Sequence, residues 1–301
     1  MNSKNKKKIL IVDGTSYLYR AYYTFPYWIN KYGEPSGAIY GVINMLRKII
    51  LKYQDNQIIV VFDSPNKTFR HAIFKKYKKN RPAMPEDLKK QIPFLYKIIK
   101  LIGIPLILVP SVEADDIIGT LSYRAEKIGL TILISSNDKD MLQLVTEKIN
   151  IINTTYDVII GPKEIKKKYG ITPKLMIDLL ALMGDVVDNI PGIPGIGEKT
   201  ALMLIKHFGC LEKIYEEIEN IKILPIHGAK NISIKIKKNK EIAFLSKKLS
   251  TIKLDIPLDV DLENLKTSKL KKQKLLHFFN HYNFKKWKKQ VENDSWLTTK
   301  K

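Results

Sequence analysis

The stretch Val112-Glu113-Ala114-Asp115-Asp116-Ile117-Ile118-Gly119 places three acidic side chains directly before an apolar run. Acidic residues in the first turn of a helix are favourable because they face the positive end of the helix dipole. A helix that starts near Glu113 puts Glu113 and Asp116 on one face, with Asp115 beside them. Taken alone, the stretch is equally typical of a solvated, acid-rich helix start.

Other short apolar runs in the chain also lead into carboxylates. These runs are Lys8–Val12 before Asp13, Ile58–Phe62 before Asp63, and Thr131–Ser136 before Asp138 and Asp140. Short, β-branched and nearly continuous apolar runs are typical of parallel strands buried on both faces. Because open α/β sheets place their ligand sites at the carboxyl ends of the strands, we expect these acids to meet at one edge.

A further acidic pair at helical spacing follows downstream and completes a set of nine carboxylates. The set is Asp13, Asp63, Glu113, Asp115, Asp116, Asp138, Asp140, Asp185 and Asp188. Without compensation, converging carboxylates repel one another and some take up protons. Hard cations such as Mg²⁺ and Mn²⁺ prefer oxygen ligands and relieve this repulsion. The set therefore predicts a two-metal site for phosphoryl chemistry.

Length and composition narrow the class of protein. A chain of 301 residues can bury a sizeable core. It has no run of 18 apolar residues, so no transmembrane helix is predicted. Cys210 is the single cysteine, which excludes an internal disulfide and fits a reducing cytoplasm. The net charge of +22 favours a polyanionic partner, although the excess of lysine also reflects compositional bias.

The pattern of elements predicts an α/β fold with a mostly parallel central sheet flanked by helices. We expect this α/β core over residues 1–180, with a basic insertion at about 66–95. Pro82 and Pro85 interrupt any continuous helix in the insertion. Its interleaved lysines and aromatic rings suit a flexible nucleic-acid strand, since rings stack on bases and cations meet phosphates. An ordinary solvated, lysine-rich loop is the alternative.

The glycine-rich segment Asp185–Ala201 nearly spells a phosphate-binding P-loop. Glu198 intrudes before Lys199, and no strand leads into the segment, so nucleotide binding is not predicted. A helix–hairpin–helix is the better interpretation, because its loop can approach a DNA backbone and donate backbone N–H groups to phosphate. A structural Gly-Pro loop is the alternative.

The rest of the chain is predicted to be helical. We expect a helix–hairpin–helix region over residues 181–265, which contributes Asp185 and Asp188. A basic tail over 266–301, dotted with aromatic residues, is expected to be helical and loosely held.

Taken in order, these motifs resemble the 5′-nuclease domain of bacterial DNA polymerase I, within the flap endonuclease family. The motifs are Ile11-Val12-Asp13-Gly14, Val61-Phe62-Asp63, Tyr77-Lys78 with Arg81-Pro82, Val112-Glu113-Ala114-Asp115-Asp116, Asp138-Lys139-Asp140, and Met183-Gly184-Asp185 through Ala201. The resemblance implies a metal-dependent enzyme that cuts 5′ flaps, nicks and 5′ ends of duplex DNA, and RNA–DNA primers, in replication and repair. It also implies a cytoplasmic, nucleoid-associated monomer and a helical arch at about 66–95 that admits a 5′ single strand.

The larger relatives continue beyond the position of Lys301 into proofreading and polymerase domains. The resemblance therefore implies a free-standing nuclease, or a truncated gene product, that relies on a separate polymerase and ligase.

The same resemblance implies a role for each matched residue. Two Mg²⁺ (or Mn²⁺) ions are expected, the first held by Asp13, Asp63 and Glu113. Asp115 would lie between the ions as a catalytic residue; Asp138, Asp140 and Asp185 would hold the second, with Asp116 and Asp188 in support. The residues implied to contact DNA are Arg20, Arg70, Tyr77, Lys78, Arg81, Gly192, Gly195, Gly197 and Lys199, of which Lys78 and Arg81 would steer the scissile phosphate. A K⁺ ion is implied at the hairpin.

Two other classes of function stay open at this point. A structure-specific DNA-binding protein with vestigial acids would bind DNA without Mg²⁺ and release no product. A phosphatase-like enzyme using Asp138 and Asp140 through a covalent aspartyl phosphate would turn over small phosphate esters, and it would need neither the arch nor the hairpin.

Overall fold

A computed structural model describes residues 8–54, 56–225, 228–262, 265 and 267–298. Its centre is one six-stranded sheet with the strand order β3-β2-β1-β4-β5-β6. The strands are β1 (Lys8–Asp13), β2 (Gln57–Val61), β3 (Leu106–Ile107), β4 (Thr131–Ser135), β5 (Ile149–Asn153) and β6 (Val158–Ile160). All neighbours pair in parallel except β5 and β6. The predicted α/β fold with a mostly parallel sheet is confirmed.

Helices cover both faces of the sheet. They are α1 (Gly14–Thr24), α2 (Gly37–Lys52), α3 (Phe69–Ile73), α4 (Glu86–Ile102), α5 (Ala114–Lys127), α6 (Pro162–Tyr169), α7 (Met176–Met183), α8 (Glu198–Phe208), α9 (Leu211–Glu216), α10 (Ala229–Lys238), α11 (Lys240–Ser250), α12 (Lys272–His281) and α13 (Lys285–Glu292). Short 3₁₀ helices span Lys139–Leu144, Pro173–Leu175 and Ile218–Ile223.

Successive side chains of β1 point to opposite faces of the sheet, and the core accordingly forms two clusters. Ile9 and Ile11 pack with α5 and the later helices α7 to α11 on one face. Leu10 and Val12 pack with α1, α2, α4, α12 and α13 on the other. The predicted boundary at residue 180 falls inside α7, whose apolar side chains complete the first cluster. The helical region therefore shares a core with the sheet.

The insertion after β2 differs from the predicted range of 66–95. Only α3 and a series of turns occupy residues 64–85, a segment called the arch below. Pro85 caps α4, which runs without interruption from Glu86 through Pro93 to Ile102. α4 therefore starts inside the predicted insertion, because its apolar face, including Leu88, packs in the core.

The basic tail packs firmly against the core, which corrects the expectation of a loosely held segment. Phe279, Trp287 and Trp296 are almost fully buried in the second cluster. The ring of Trp287 stacks on Tyr40 of α2 with centroids 4.7 Å apart. Residue 266, the predicted start of the tail, lies outside the described residues. Among the helices described, none has the length and apolar character needed to cross a membrane.

Candidate active site

Four carboxylates line one cavity at the carboxyl edge of the sheet. Asp13 ends β1, Asp63 follows β2, Asp138 follows β4, and Asp115 lies in the first turn of α5. The cavity has a volume of about 320 Å³. The other residues of its lining are Thr15, Ser16, Tyr19, Lys78, Arg81 and Asn137. The strand ends thus bring together acids that lie far apart in the sequence.

Asp13 is the most firmly fixed of these four. It is 5% exposed and accepts hydrogen bonds from the backbone N–H of Ser16 at 2.9 Å and from Ser136 Oγ at 2.8 Å. Burial raises the pKa of Asp13 to about 7. The two hydrogen bonds oppose this increase, and the negative charges of Asp63 and Asp138 add to it. The carboxylate is therefore held in place but lacks a compensating cation.

Asp115 and Asp63 complete this crowded group. Burial, followed by the negative charges of Asp138, Asp13 and Asp63, raises the pKa of Asp115 well above its ordinary value. Asp63 accepts a 2.7 Å hydrogen bond from the backbone N–H of Ala114, which ties β2 to the start of α5. This donor set, oxygen-rich and electrostatically unsatisfied, fits a hard divalent cation.

A second acidic group, Asp140 and Asp185, lies beside Asp138. Asp140 Oδ1 is buried and has no hydrogen-bond partner among the described residues. Burial and the charges of Asp138 and Asp185 raise the pKa of Asp140 to about 7. Burial opposes ionisation of Asp185, but hydrogen bonds from Lys139 and from the Asp188 backbone N–H hold its pKa below the usual range. The orphaned Asp140 oxygen is a natural cation ligand.

The nine acids differ in the partners that they have in the structure. Within the described ranges, no three acidic, histidine or cysteine side chains are already assembled as a metal site. Glu113, Asp116 and Asp188 are instead paired with basic residues of the arch. Six carboxylates remain for cations, namely Asp13, Asp63, Asp115, Asp138, Asp140 and Asp185.

Glu113 joins the arch to the start of α5 through hydrogen bonds. Thr68 Oγ1 donates to its Oε1 at 2.8 Å, and the Tyr77 hydroxyl and Lys78 Nζ both donate to Oε2 at 3.0 Å. Burial opposes ionisation, but Lys78 and Arg70 hold the pKa of Glu113 below the usual range. Both carboxylate oxygens therefore accept hydrogen bonds from the arch, and the role implied for Glu113 as a ligand stays a prediction.

Tyr77 is buried, whereas Lys78 is accessible from the carboxylate cavity. Tyr77 is 4% exposed, and its hydroxyl lies between Glu113 and Asp188, so its ring cannot stack on a base as expected. Lys78 reaches the carboxylate cavity. Burial lowers the pKa of Lys78, but Glu113 and Asp188 outweigh it and raise the pKa overall, so the group stays an ammonium ion.

Arg70 and Asp116 form a buried ion pair, which agrees with the supporting role implied for Asp116 but not with the phosphate contact implied for Arg70. Arg70 is 2% exposed and Asp116 0%. The guanidinium donates to Asp116 at 2.7 and 2.9 Å and to the carbonyls of Leu249 and Thr251 at 2.8 Å each. Glu113 and Asp116 do lie on one side of α5, since Arg70 contacts both. Neither Arg70 nor Asp116 is free to bind DNA or metal.

Arg20 points away from the carboxylates, contrary to its implied contact with a phosphate. Its guanidinium donates to Thr154 Oγ1 at 2.5 Å and lies against the Met45 sulfur. These residues line a separate cavity of about 330 Å³ that also contains Lys48 and Asp157. The direction of α1 explains the difference, because Arg20 leaves the helix on the side of β5.

The arch and the segment after α7 are bonded to one another. Arg81 pairs with Asp188, and the Lys78 backbone N–H donates to the Asp188 carbonyl at 2.9 Å. Asn189 Nδ2 donates to the Lys76 carbonyl at 2.6 Å, and Asn80 donates to Asn189 at 3.2 Å. Asp188 therefore orients the cationic residues of the arch.

The segment predicted as a helix–hairpin–helix consists of α7, the loop at residues 184–197 and α8. Gly192 is buried with φ +59°, and a Cβ there would lie 2.4 Å from the Gly184 nitrogen. Its role is close backbone packing, which corrects the implied DNA contact. Gly195, Gly197 and Lys199 are exposed at the tip and at the start of α8. These three remain available to a phosphate backbone.

A second cavity of about 710 Å³ opens under the arch and joins the first. The two share Thr15, Tyr19, Asp63, Lys78 and Arg81. The apolar part of its lining is Leu18, Phe62, Met84, Ile92, Tyr96 and Leu108. Lys78 and Arg81 thus stand between an acidic cavity and a larger, partly apolar one.

Three residues of the site do not stand out in the sequence. Ser136 bridges Asp13 and the Asp138 backbone N–H, Lys139 pairs with Asp185 at 2.7 Å, and Thr68 holds Glu113. Lys139 could have been found from its position between two acids, since an isolated cation there suits a carboxylate cluster. Nothing in the local pattern marks Ser136 or Thr68.

Comparison with known proteins gives matches along nearly the whole chain. Residues 8–170 match the 5′-3′ exonuclease N-terminal resolvase-like domain, and residues 171–273 match the 5′-3′ exonuclease C-terminal SAM fold. A 5′-3′ exonuclease of Buchnera aphidicola subsp. Baizongia pistaciae is 51% identical, over 98% of this chain and 97% of its own length. DNA polymerase I of Pseudomonas aeruginosa is 44% identical, over 93% of this chain but 31% of its own length.

Solved structures share the fold at lower identity. A T5 5′-exonuclease with bound zinc superposes with a TM-score of 0.67 at 22% identity, covering 81% of this chain and 89% of that one. The catalytic core of Rad2 in complex with DNA gives 0.60 at 19% identity, covering 92% and 87%.

Proposed function

Because the chain belongs to the 5′–3′ exonuclease family, we propose that it removes nucleotides from DNA 5′ ends and nicks and cuts 5′ flaps, using divalent metal ions. The observation that carries this proposal is the acidic cavity bordered by Lys78 and Arg81 at the mouth of a larger cavity under the arch. A phosphodiester placed at that border would meet carboxylates for cations on one side and fixed ammonium and guanidinium groups on the other.

We assign the cations to the six carboxylates that are not paired with the arch, of which Asp185 is paired with Lys139. Asp13, Asp63 and Asp115 face the shared cavity, Asp138 adjoins both acidic groups, and Asp140 and Asp185 lie beyond it. When bound, two Mg²⁺ or Mn²⁺ ions supply an activated water and neutralise charge on the phosphate. The T5 relative with bound zinc supports divalent ions at this fold. The crowding of buried carboxylates, which raises the pKa of Asp13 and of Asp140 to about 7, supports the same assignment.

The protein's own contribution is to position cationic donors. Lys78 Nζ stays protonated beside Glu113 and donates to a non-bridging phosphate oxygen as charge develops. Arg81, held by Asp188, donates to a neighbouring oxygen. Glu113, Tyr77 and Thr68 fix the approach of Lys78 through their shared hydrogen bonds.

Finer features of the function follow the same reasoning. We assign the exposed loop of Gly195 and Gly197, with Lys199, to the backbone of the duplex downstream of the cut, with K⁺ as a bound ion there. RNA–DNA primers, cooperation with a separate polymerase and ligase, a monomeric state, and a cytoplasmic, nucleoid-associated location complete the proposal. Binding compared in KCl and LiCl at equal ionic strength tests the K⁺ ion.

The phosphatase alternative is not favoured by the geometry. It needs Asp138 and Asp140 to share access to one phosphate ester. Only Asp138 lines the cavity, whereas Asp140 Oδ1 is buried. Small phosphate esters are therefore expected not to be turned over.

A labelled 5′-flap on a nicked duplex tests the function directly. We expect cleavage near the flap junction with Mg²⁺, none with EDTA, and none by Asp115→Asn with Mg²⁺. Asp157→Asn, an exposed carboxylate at the far cavity, is the matched control and should cleave normally. Tight binding without product, under Mg²⁺ and Mn²⁺ alike, would contradict the proposal and favour an inactive DNA-binding protein.

A further inference from the structure

Asp185, one of the six carboxylates assigned to cations, already has a positive charge beside it. Its Oδ1 accepts hydrogen bonds from the backbone N–H of Val187 at 2.7 Å and of Asp188 at 3.0 Å. Its Oδ2 lies 2.7 Å from Lys139 Nζ. One oxygen is thus held by backbone and the other by a side chain. Lys139 therefore occupies the oxygen of Asp185 that the backbone leaves free.

Lys139 is the movable partner in this ion pair. It is the first residue of the 3₁₀ helix Lys139–Leu144. Its side chain is 45% exposed, whereas that of Asp185 is 9% exposed. Among the residues described, the ion pair with Asp185 is the one that Lys139 forms. Because a lysine ammonium sits on a flexible four-carbon stem, it can swing into solvent without any movement of the backbone.

The single ammonium does not satisfy the acidic group around it. Asp140 Oδ1 is buried and has no hydrogen-bond partner in the described part of the chain. Asp138 Oδ1 accepts the backbone N–H of Asp140 at 2.9 Å. When ionised, these two carboxylates and Asp185 share one ammonium, which leaves two formal negative charges. A divalent cation supplies two positive charges, and its repulsion of a retained ammonium favours displacement of Lys139.

The other acidic group has no such resident cation. Asp13 and Asp63 accept hydrogen bonds from neutral donors, the backbone N–H of Ser16 and Ala114 among them. Within the described ranges, Asp13, Asp63 and Asp115 form no ion pair. A cation that enters there displaces no ammonium. The two groups therefore differ in what a cation must remove, although both offer carboxylate oxygens.

We infer that Lys139 is a displaceable counter-ion, which occupies the second cation subsite until a divalent cation takes its place at Asp185 Oδ2. The first subsite is Asp13, Asp63 and Asp115, and the second is Asp138, Asp140 and Asp185. Lys139 stabilises the crowded carboxylates of the cation-free protein and makes the second subsite the weaker one. The inference rests on the proposed use of divalent cations and adds the residue that sets their order of affinity.

Binding of Mn²⁺ to the DNA-free protein, followed by the electron paramagnetic resonance signal of free Mn²⁺, tests the inference without cleavage. Lys139→Met keeps an unbranched side chain but removes its charge, so the weaker class of sites should bind about tenfold more tightly. The stronger class should change by less than about twofold. Lys272→Met is the matched control, because Lys272 also pairs with an aspartate, Asp294, at 2.7 Å and is 38% exposed. Its isotherm should match that of the wild type.

Labelling of lysine distinguishes displacement from a simple loss of positive charge. Acetylation of the wild type by an amine-reactive ester at fixed pH is quantified for each lysine by mass spectrometry. Saturating Mg²⁺ should raise the acetylation of Lys139 at least about threefold, because the released ammonium is open to the reagent. Acetylation of Lys272 should stay unchanged. Asp185→Asn removes the carboxylate, so it should raise the acetylation of Lys139 even in EDTA.

Three results would overturn the inference. They are a single class of Mn²⁺ sites in the wild type, equal tightening of both classes by Lys139→Met, and acetylation of Lys139 that Mg²⁺ leaves unchanged. Thermal unfolding verifies that each variant is folded. A wild type that binds no Mn²⁺ would overturn both the inference and the use of divalent cations. Displacement of Lys139 without any cleavage of a flap would refute the proposed nuclease function and leave the role of Lys139 standing.

Discussion

Replacement of Arg70 separates a structural role from a role in DNA binding. The resemblance to flap endonucleases implies that Arg70 grips phosphate, whereas the structure buries it against Asp116. Arg70→Ala leaves the Asp116 carboxylate, which is 0% exposed, with a backbone N–H of Lys253 and no cation beside it. Removing one partner of a buried ion pair costs about 3–5 kcal/mol.

This loss is large enough to measure in a chain of this size. For a cooperative unfolding of 301 residues, it lowers the Tm by roughly 5–8 °C. The double replacement Arg70→Met with Asp116→Leu removes both charges, so it should recover much of the stability. Lys75→Ala, an exposed cation of the same arch, should leave the Tm within about 1 °C.

Thermal unfolding and the salt dependence of DNA binding together give the readout. The expected result is a strongly lowered Tm for Arg70→Ala and, below that Tm, a salt slope equal to that of the wild type. A phosphate-binding arginine gives the reverse, namely an unchanged Tm and a slope lower by about 0.9. That second outcome would refute the structural role of Arg70 and support the phosphate contact that the family resemblance implies.

Three further outcomes are expected from the site. Asp115→Asn should lower the cleavage rate at least about 10³-fold while the Kd for a flap in EDTA stays within about twofold, because one charge needed for the cations is lost; near-normal turnover would contradict the assignment. The pKa of Asp13 and of Asp140 is raised to about 7 in the folded, metal-free protein. Between about pH 4 and pH 7 the folded protein therefore keeps protons that the unfolded chain has released, so the free energy of unfolding falls as the pH rises through this range. Mg²⁺ should therefore raise the Tm more at pH 8 than at pH 5.5, and an equal increase at both would count against these carboxylates as ligands. Gly192→Ala should lower the free energy of unfolding by more than about 2 kcal/mol and weaken DNA binding, because φ is +59° and the new Cβ would lie 2.4 Å from backbone. Gly197→Ala should be tolerated, because its Cβ would meet nothing within 4 Å. Similar urea midpoints for both variants would refute this.

Local sequence pattern accounts for the sheet and for the placement of most acids. The apolar runs that end at Asp13 and before Asp63 form adjacent parallel strands, so the geometry of the sheet alone brings their carboxylates together. The acid-rich start of α5 also behaves as its spacing predicts, with Glu113 and Asp116 on the side of Arg70.

The partners of the basic residues could not be read from local pattern. Arg70 and Arg81 both lie in the basic segment after β2, yet one is buried and the other reaches solvent. The difference is that Arg70 donates to the carbonyl groups of Leu249 and Thr251, which lie more than 170 positions away in the sequence. Periodicity carries no information on such contacts. The charge of the tail suggests a loosely held segment, but its aromatic residues Phe279, Trp287 and Trp296 are buried.

The bonds between the arch and Asp188 have a thermodynamic consequence. One side of this contact belongs to the segment that would surround a single strand, and the other continues into the loop that would hold duplex. Any ligand that shifts Asp188 changes the free energy of the arch, and any strand that draws Lys78 or Arg81 towards phosphate changes that of the hairpin. Linkage requires the two effects to be equal in size. A substrate that engages both segments therefore gains or loses this coupling free energy, whereas a substrate that engages only one does not. A double-mutant cycle between Arg81 and Lys199 measures the coupling without observing cleavage.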